Sequence, residues 1–157
     1  MSNSNSILNE INRVFSEEIS VLNAVKGSIN SSYARAVDLI SNSSGKVVIT
    51  GMGKSGVISQ KIVATMVSTG TNAVFLHAAD AAHGDIGIIE RTDVVIGISK
   101  SGETDELISV ITYCNSVGAT VVSITANAES TLARPVSYTH LRAHETLRYL
   151  VCRLLLE

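Results

Sequence analysis

Apolar residues recur at two periods along the chain, and the change of period divides it into elements. Ile7, Ile11, Val14, Val21, Leu22 and Val25 fall at helical spacing, with Glu10, Arg13, Glu17 and Glu18 between them. That pattern predicts one amphipathic helix, whose stripe needs cover from the domain or from a second subunit. Tyr33, Ala36, Val37 and Ile40 predict a second, shorter helix, which Asn42-Ser43-Ser44-Gly45 should end. The chain then shifts to short apolar runs at residues 46–50, 73–76, 94–98 and 119–125. Such runs, bounded by turn residues, read as buried strands. Helical patterns separate them: Ile58, Ile62, Val63, Met66 and Val67; a loop and short helix over residues 77–85; and a helix over residues 104–117 that Gly118 terminates. Strands alternating with helices mean parallel βαβ units with right-handed crossovers. The expected fold is therefore α/β, a three-layer doubly wound parallel sheet. All strand C-termini then share one edge, and the loops after Thr50, Leu76, Ile98 and Thr125 meet there. An open sheet of this kind binds its ligand at that edge.

The rhythm stops at Pro135. Residues 136–157 are rich in Leu and Arg and contain neither glycine nor lysine. They can be written as a helix through Leu141, Leu147, Leu150, Leu154 and Leu155. The expected division is N-terminal helices over 1–44, an α/β domain over 45–135 that is incomplete at its C-terminal side, and a tail over 136–157. That tail reads as foreign to the domain, as at the junction of a truncated or chimeric reading frame.

The densest chemistry lies in Ser99-Lys100-Ser101-Gly102-Glu103-Thr104-Asp105-Glu106, where the third strand hands over to a helix. The first-turn N–H groups of that helix lack intrahelical partners and carry partial positive charge. Ser99, Ser101 and Thr104 can add hydroxyl donors, and Gly102 lets an anion approach the backbone. This reads as a phosphate cradle; the plainer reading is a well-capped βα turn. Glu103 could cap the helix, and Glu106 falls in its first turn, where both complement the helix dipole. A carboxylate there could also act as a general base.

Gly51-x-Gly53-x-x-Gly56 follows the first strand and matches the dinucleotide fingerprint. That fingerprint needs an acidic residue about twenty positions on. The second strand ends in Phe75-Leu76-His77 with no carboxylate, which argues against a nicotinamide cofactor. A nucleotide P-loop ending in Lys54-Ser55 would need glycine where Val48 stands. What survives is a turn that places Lys54 and Ser55 at the mouth of the sheet, where a lysine balances phosphate or enolate charge. The alternative is a solvated surface lysine. His83, in Ala81-Ala82-His83-Gly84-Asp85, lies in a loop on the same edge, and imidazole suits proton movement or hydroxyl binding; a structural histidine explains it as readily. His77 could ligate a metal, although a zinc site needs three or four convergent ligands. His140-x-x-x-His144-Glu145 matches a zinc-protease helix only superficially, because the glutamate lies outside the histidine pair.

Composition narrows the classes. Apolar residues make up 45% and charged residues 17%, as in a globular chain, and the net charge of −2 suggests neither a nucleic-acid nor a membrane partner. Cys114 and Cys152 share no motif spacing, which fits reduced thiols in a cytoplasm. Residues 1–6 lack the basic and apolar regions of a secretory signal, and no run is long and apolar enough to span a bilayer.

Gly51-Met52-Gly53-Lys54-Ser55-Gly56, then Ser68-Thr69-Gly70-Thr71, then Ala81-Ala82-His83-Gly84-Asp85, then Ser99-x-Ser101-Gly102-Glu103, in that order, resemble a sugar isomerase (SIS) domain. Within that superfamily the chain is most similar to arabinose-5-phosphate isomerases of the lipopolysaccharide and capsule pathways. The resemblance covers most of residues 45–134. It implies a flavodoxin-like, Rossmann-like fold. It also implies interconversion of D-arabinose 5-phosphate and D-ribulose 5-phosphate through a cis-enediol, supplying 3-deoxy-D-manno-octulosonate synthesis. Carried over by position, it makes Lys54 and Glu106 catalytically relevant, and Gly70, Thr71 and His83 substrate contacts. It makes His77 a metal position where zinc is inhibitory or structural, and it implies no required cofactor. Family members continue with a further glutamate, an Ala-Pro-Thr-Ser segment and a catalytic histidine that this sequence lacks. The expected site is thus Lys54, His83 and Glu106 for the chemistry, with Ser55, Gly70, Thr71, Ser99, Ser101, Gly102 and Thr104 for the sugar phosphate. The expected assembly is a cytoplasmic homo-oligomer, a dimer or tetramer. Two other readings stay open: a non-catalytic sugar-phosphate-binding module, and an inactive fragment of such an isomerase.

Overall fold

A computed structural model describes residues 2–134 and 139–142 of the chain. By contacts the chain divides into two compact units, Met1–Ile29 with His144–Glu157, and Asn30–Ala143. The first contains helix α1 (Ser2–Ser28). Its Ile7, Leu8 and Ile19 are each more than half exposed.

The second unit holds the sheet. Its elements run α2 (Ser31–Ser41), β1 (Val47–Gly51), α3 (Gly53–Ser68), β2 (Ala73–His77), α4 (Ala78–Ala81), a 3-10 turn (Asp85–Ile88), β3 (Val94–Ile98), α5 (Asp105–Val117), β4 (Thr120–Thr125) and β5 (Thr139–Arg142). The strands are parallel, in the order β2-β1-β3-β4-β5. The sequence expectation for β1 to β4 and for their helices holds to within a residue or two. The helix written through Leu141 does not form at residues 139–142, where β5 instead adds a parallel edge to β4; the rest of that proposed helix lies outside the described residues. A β-branched or leucine-rich stretch can adopt either geometry, and pairing with an open strand edge decides it.

Successive strand side chains point to opposite faces, so each strand feeds two cores. On one face Val48, Val95 and Val121 pack with Leu107, Val110, Ile111 and Cys114 of α5 and with Ala78 and Ala81 of α4. The α5 residues recur at i, i+3, i+4 and i+7, one stripe of a helix. On the other face Val47, Ile49, Val94, Ile96, Ile98 and Val122 pack with Ala36 of α2 and with Ile62, Val63 and Met66 of α3. Helices on both faces make the fold three-layered and doubly wound, and they explain why β1 and β3 are buried at every position.

The strand order sets the site. The chain leaves β1 outward to β2 and then returns to β3 on the other side of β1. Helix α3 therefore departs over one face and α5 over the other, and the crevice between them opens at the C-terminal ends of β1 and β3. The register aligns His77, Gly51, Ile98 and Ile124 in one row across that edge. A side chain at Gly51 would come within 3.0 Å of the Ile98 carbonyl oxygen. Glycine is what allows the two loops to diverge from adjacent strands at such close range.

Candidate functional site

Two helix N-termini face the crevice. Met52 precedes α3 and Thr104 precedes α5, and neither offers a side-chain capping bond to the first turn. This bears on the well-capped-turn reading of the serine-rich loop. In a well-capped turn the hydroxyls would satisfy the helix's own first-turn N–H groups. Here they act one step earlier. The Gly102 N–H donates to Ser99 Oγ (3.1 Å), and the Glu103 N–H donates to Ser101 Oγ (3.2 Å). Ser99 Oγ also lies 3.0 Å from Thr104 Oγ1. The hydroxyls thus hold the loop, and no side-chain cap offsets the partial positive charge of the α5 N-terminus.

The same bonds limit what the hydroxyls can give. A serine oxygen that accepts an N–H still has its own proton to donate. Ser99 and Thr104 share one proton between them, so the pair has one left to offer. Ser101, which is exposed, has its own. Ser99 is 5% exposed, so its main role is to shape the turn from beneath.

Gly102 corrects a sequence expectation about space. Its φ of +71° is a left-handed conformation that glycine adopts without strain. The space beside its Cα, however, is filled by the chain. A Cβ there would meet Ser130 Oγ at 2.1 Å, Ser130 Cβ at 2.4 Å and Thr125 Oγ1 at 2.9 Å. Glycine at this position admits the loop after β4. That loop is tied to the turn by the Leu132 N–H donating to the Gly102 carbonyl (2.9 Å) and the Ala126 N–H donating to the Lys100 carbonyl (3.1 Å). Thr125 Oγ1 also donates to Lys100 O (3.3 Å). Thr125, Ser130 and Thr131 were not singled out by sequence. Polar residues after β4 were the available signal, but they carry no motif.

Glu103 does not cap α5. It lies outside the helix, before the N-cap Thr104, and its Oε1 accepts the Thr131 N–H at 2.9 Å. The hydroxyl and N–H of Thr131 hold its carboxyl below the usual range, with the Arg134 charge adding to them. Glu106 is in the first turn of α5, half-buried.

The other expected residues fall in two groups. Lys54 and Ser55 open α3, on the crevice side of the sheet. His83 follows α4, in the loop after β2, and is exposed. Gly70 and Thr71 are not brought to this edge. They lie between the end of α3 and the start of β2, at the opposite end of the strands, where the Thr71 N–H donates to the Met66 carbonyl. His77 ends β2 in the aligned row, and its ring meets Phe75 edge-on with centroids 6.1 Å apart. Its Nδ1 is buried without a hydrogen-bond partner. Among the described residues, no group of three or more His, Cys, Asp or Glu side chains converges to hold a metal. The described residues around His77 therefore do not fit a zinc site. Cys114 lies in the α5 core, where burial pushes its thiol up to about 12; such a thiol is inert.

The SIS domain family matches residues 39–146. The chain belongs to that family. It is 37% identical over 134 residues, 85% of its length, to the arabinose 5-phosphate isomerase KdsD of Pseudomonas aeruginosa. It is 40% identical over 129 residues, 82% of its length, to the arabinose 5-phosphate isomerase KpsF of Escherichia coli. It spans 41% and 39% of those two relatives, about two fifths of their length. Among solved structures it superimposes on an Escherichia coli CFT073 protein in complex with arabinose 5-phosphate with a TM-score of 0.81, at 34% identity, covering 87% of this chain and 72% of that one. The match of 39–146 takes in β5, within the segment that the sequence rhythm set apart.

Proposed function

We propose that this chain holds the sugar-phosphate site of an aldose–ketose isomerase acting between D-arabinose 5-phosphate and D-ribulose 5-phosphate, in the cytoplasm, for the synthesis of 3-deoxy-D-manno-octulosonate in lipopolysaccharide or capsule. The observation that supports it most is the α5 N-terminus. It is free of side-chain caps, framed by Ser101 and the Ser99–Thr104 pair, and opens at the switch point between β1 and β3. A dianionic phosphate suits that place electrostatically. The Escherichia coli neighbour with its bound arabinose 5-phosphate and the isomerase relatives favour this sugar phosphate.

With the phosphate anchored there, C1 and C2 of the opened sugar extend toward β1. A base removes the C2 proton while the C1 carbonyl oxygen takes a proton, giving the cis-enediol. Return of a proton to C1 and loss of the O2 proton give the ketose. Among the residues present, Glu106 is assigned the base, and Lys54 and His83 polarise the enediolate oxygens. The reaction so written needs no cofactor. Gly70 and Thr71 lie at the far end of the strands, away from this site; a role for them as sugar contacts requires a second copy of the chain, as in a dimer or tetramer.

The test is turnover of D-arabinose 5-phosphate alongside a ligand-induced melting shift. Glu106→Gln and Lys54→Met should each lower turnover at least ~10²-fold while sparing the melting shift. A shift without turnover in the parent chain supports the binding-module reading instead.

A further inference from the structure

The carboxylate of Glu103 sits beside a site read as an anion cradle, where its charge opposes the ligand. Its position has a different logic. Glu103 reaches across 28 positions of sequence to accept the Thr131 N–H at 2.9 Å, and Arg134 lies close enough to interact with its charge. One residue earlier the Gly102 carbonyl accepts the Leu132 N–H, also at 2.9 Å. Beside these two ties lies Ser130. It is 0% exposed, its hydroxyl has no hydrogen-bond partner, and it is pressed against the glycine face of the cradle. Leu132, 1% exposed, roots the loop in the core beneath Gly97.

We propose that Glu103 is a positioning residue: by holding the Thr131 N–H it straps the loop of residues 126–134 onto the hydroxyl-lined turn and sets Ser130 against Gly102, so that the turn is in its binding shape before any ligand arrives. The proposal rests on the cradle reading above. The strap works through hydrogen-bond acceptance, and the negative charge is incidental to it. A neutral acceptor of the same length keeps the strap; loss of the acceptor frees the loop and lets the turn relax.

This separates the strap from simple electrostatics. If the charge were what mattered, Glu103→Ala and Glu103→Gln would both tighten anion binding, because both remove a negative charge from the cradle's rim. The strap requires them to diverge. Titration calorimetry of the full chain with inorganic phosphate, and then with D-arabinose 5-phosphate, should show Glu103→Gln binding as tightly as the parent or more so. Glu103→Ala should bind about tenfold more weakly, the net worth of one hydrogen bond. In turnover, Glu103→Ala should raise KM more than it lowers kcat, and Glu103→Gln should restore KM. Amide exchange at Thr131 should quicken in Glu103→Ala and stay slow in Glu103→Gln. Should Glu103→Ala not fold, Glu103→Asp, whose carboxylate is one methylene too short, takes its place with the same expected loss. A parent chain that binds no phosphate overturns the cradle and the strap together. A parent that binds, with Glu103→Ala or Glu103→Asp equally tight or tighter, overturns the strap alone.

Discussion

Ser130 and Gly102 show how closely one residue's role can depend on another's far along the chain. With φ at +71° and Ser130 Oγ at 2.1 Å from the missing Cβ, Gly102→Ala carries both backbone strain and a steric clash. It should cost about 1 kcal/mol from the backbone alone, more from the clash, and also remove phosphate binding. Ser130→Ala should not rescue it, because Ser130 Cβ would still lie 2.4 Å away. Ser130→Gly should recover most of the steric part, leaving the Thr125 Oγ1 contact at 2.9 Å and the backbone strain, as urea unfolding of the three variants will show. Asp93 is a second residue whose environment is set from afar. It is 1% exposed, accepts the N–H groups of Lys46 and Glu90, and pairs with the Lys46 ammonium at 2.7 Å. Burial pushes its carboxyl up, but the Lys46 charge and these bonds outweigh it and leave the carboxyl below its ordinary value. Its stabilising effect is therefore full at neutral pH and is lost as pH falls through the depressed folded value. Asp93→Ala should cost about 3 kcal/mol at neutral pH, and the gap to the parent should close in acid, as urea unfolding across pH will show.

At the scale of elements, α5 carries both the proposed site and a clean test of conformational strain. Gly118 ends it with φ at +79°, and the nearest atoms to an added Cβ belong to the Arg91 side chain, at ordinary contact distances of 3.6 Å and beyond. Gly118→Ala should thus cost only the left-handed penalty, about 1 kcal/mol, with ligand affinity unchanged in the same calorimetric titration. This C-terminus was legible from sequence, because glycine after an apolar stripe has few other readings. The N-terminus was only half legible. That hydroxyls clustered there was plain; that they hold the N–H groups of Gly102 and Glu103 and leave the helix uncapped depends on the shape of the turn. From sequence Glu103 reads as a cap of the helix for the same reason: a carboxylate near a helix start usually serves it, and the competing N–H of Thr131 is distant in sequence.

For the molecule as a whole, the proposed site predicts linkage between anion binding and stability. A phosphate that binds only the folded chain adds about 2.7 kcal/mol at a hundredfold excess over Kd, which should raise the melting temperature by several degrees. Replacing both Ser99 and Ser101 by alanine should abolish the shift. Period and punctuation alone determined the order of helices and strands, the parallel sheet, and the gathering of the loops after β1, β2, β3 and β4 at one edge. These follow from local alternation and from the handedness of βαβ units, which need no long-range information. Only the tertiary structure decided which strands are neighbours, and therefore that the crevice opens between β1 and β3. It alone turned residues 139–142 into a fifth strand and pressed Ser130 into the space beside Gly102. Each of these depends on contacts between segments far apart along the chain, and a pattern of apolar and polar positions records which face a residue buries, not what it is buried against.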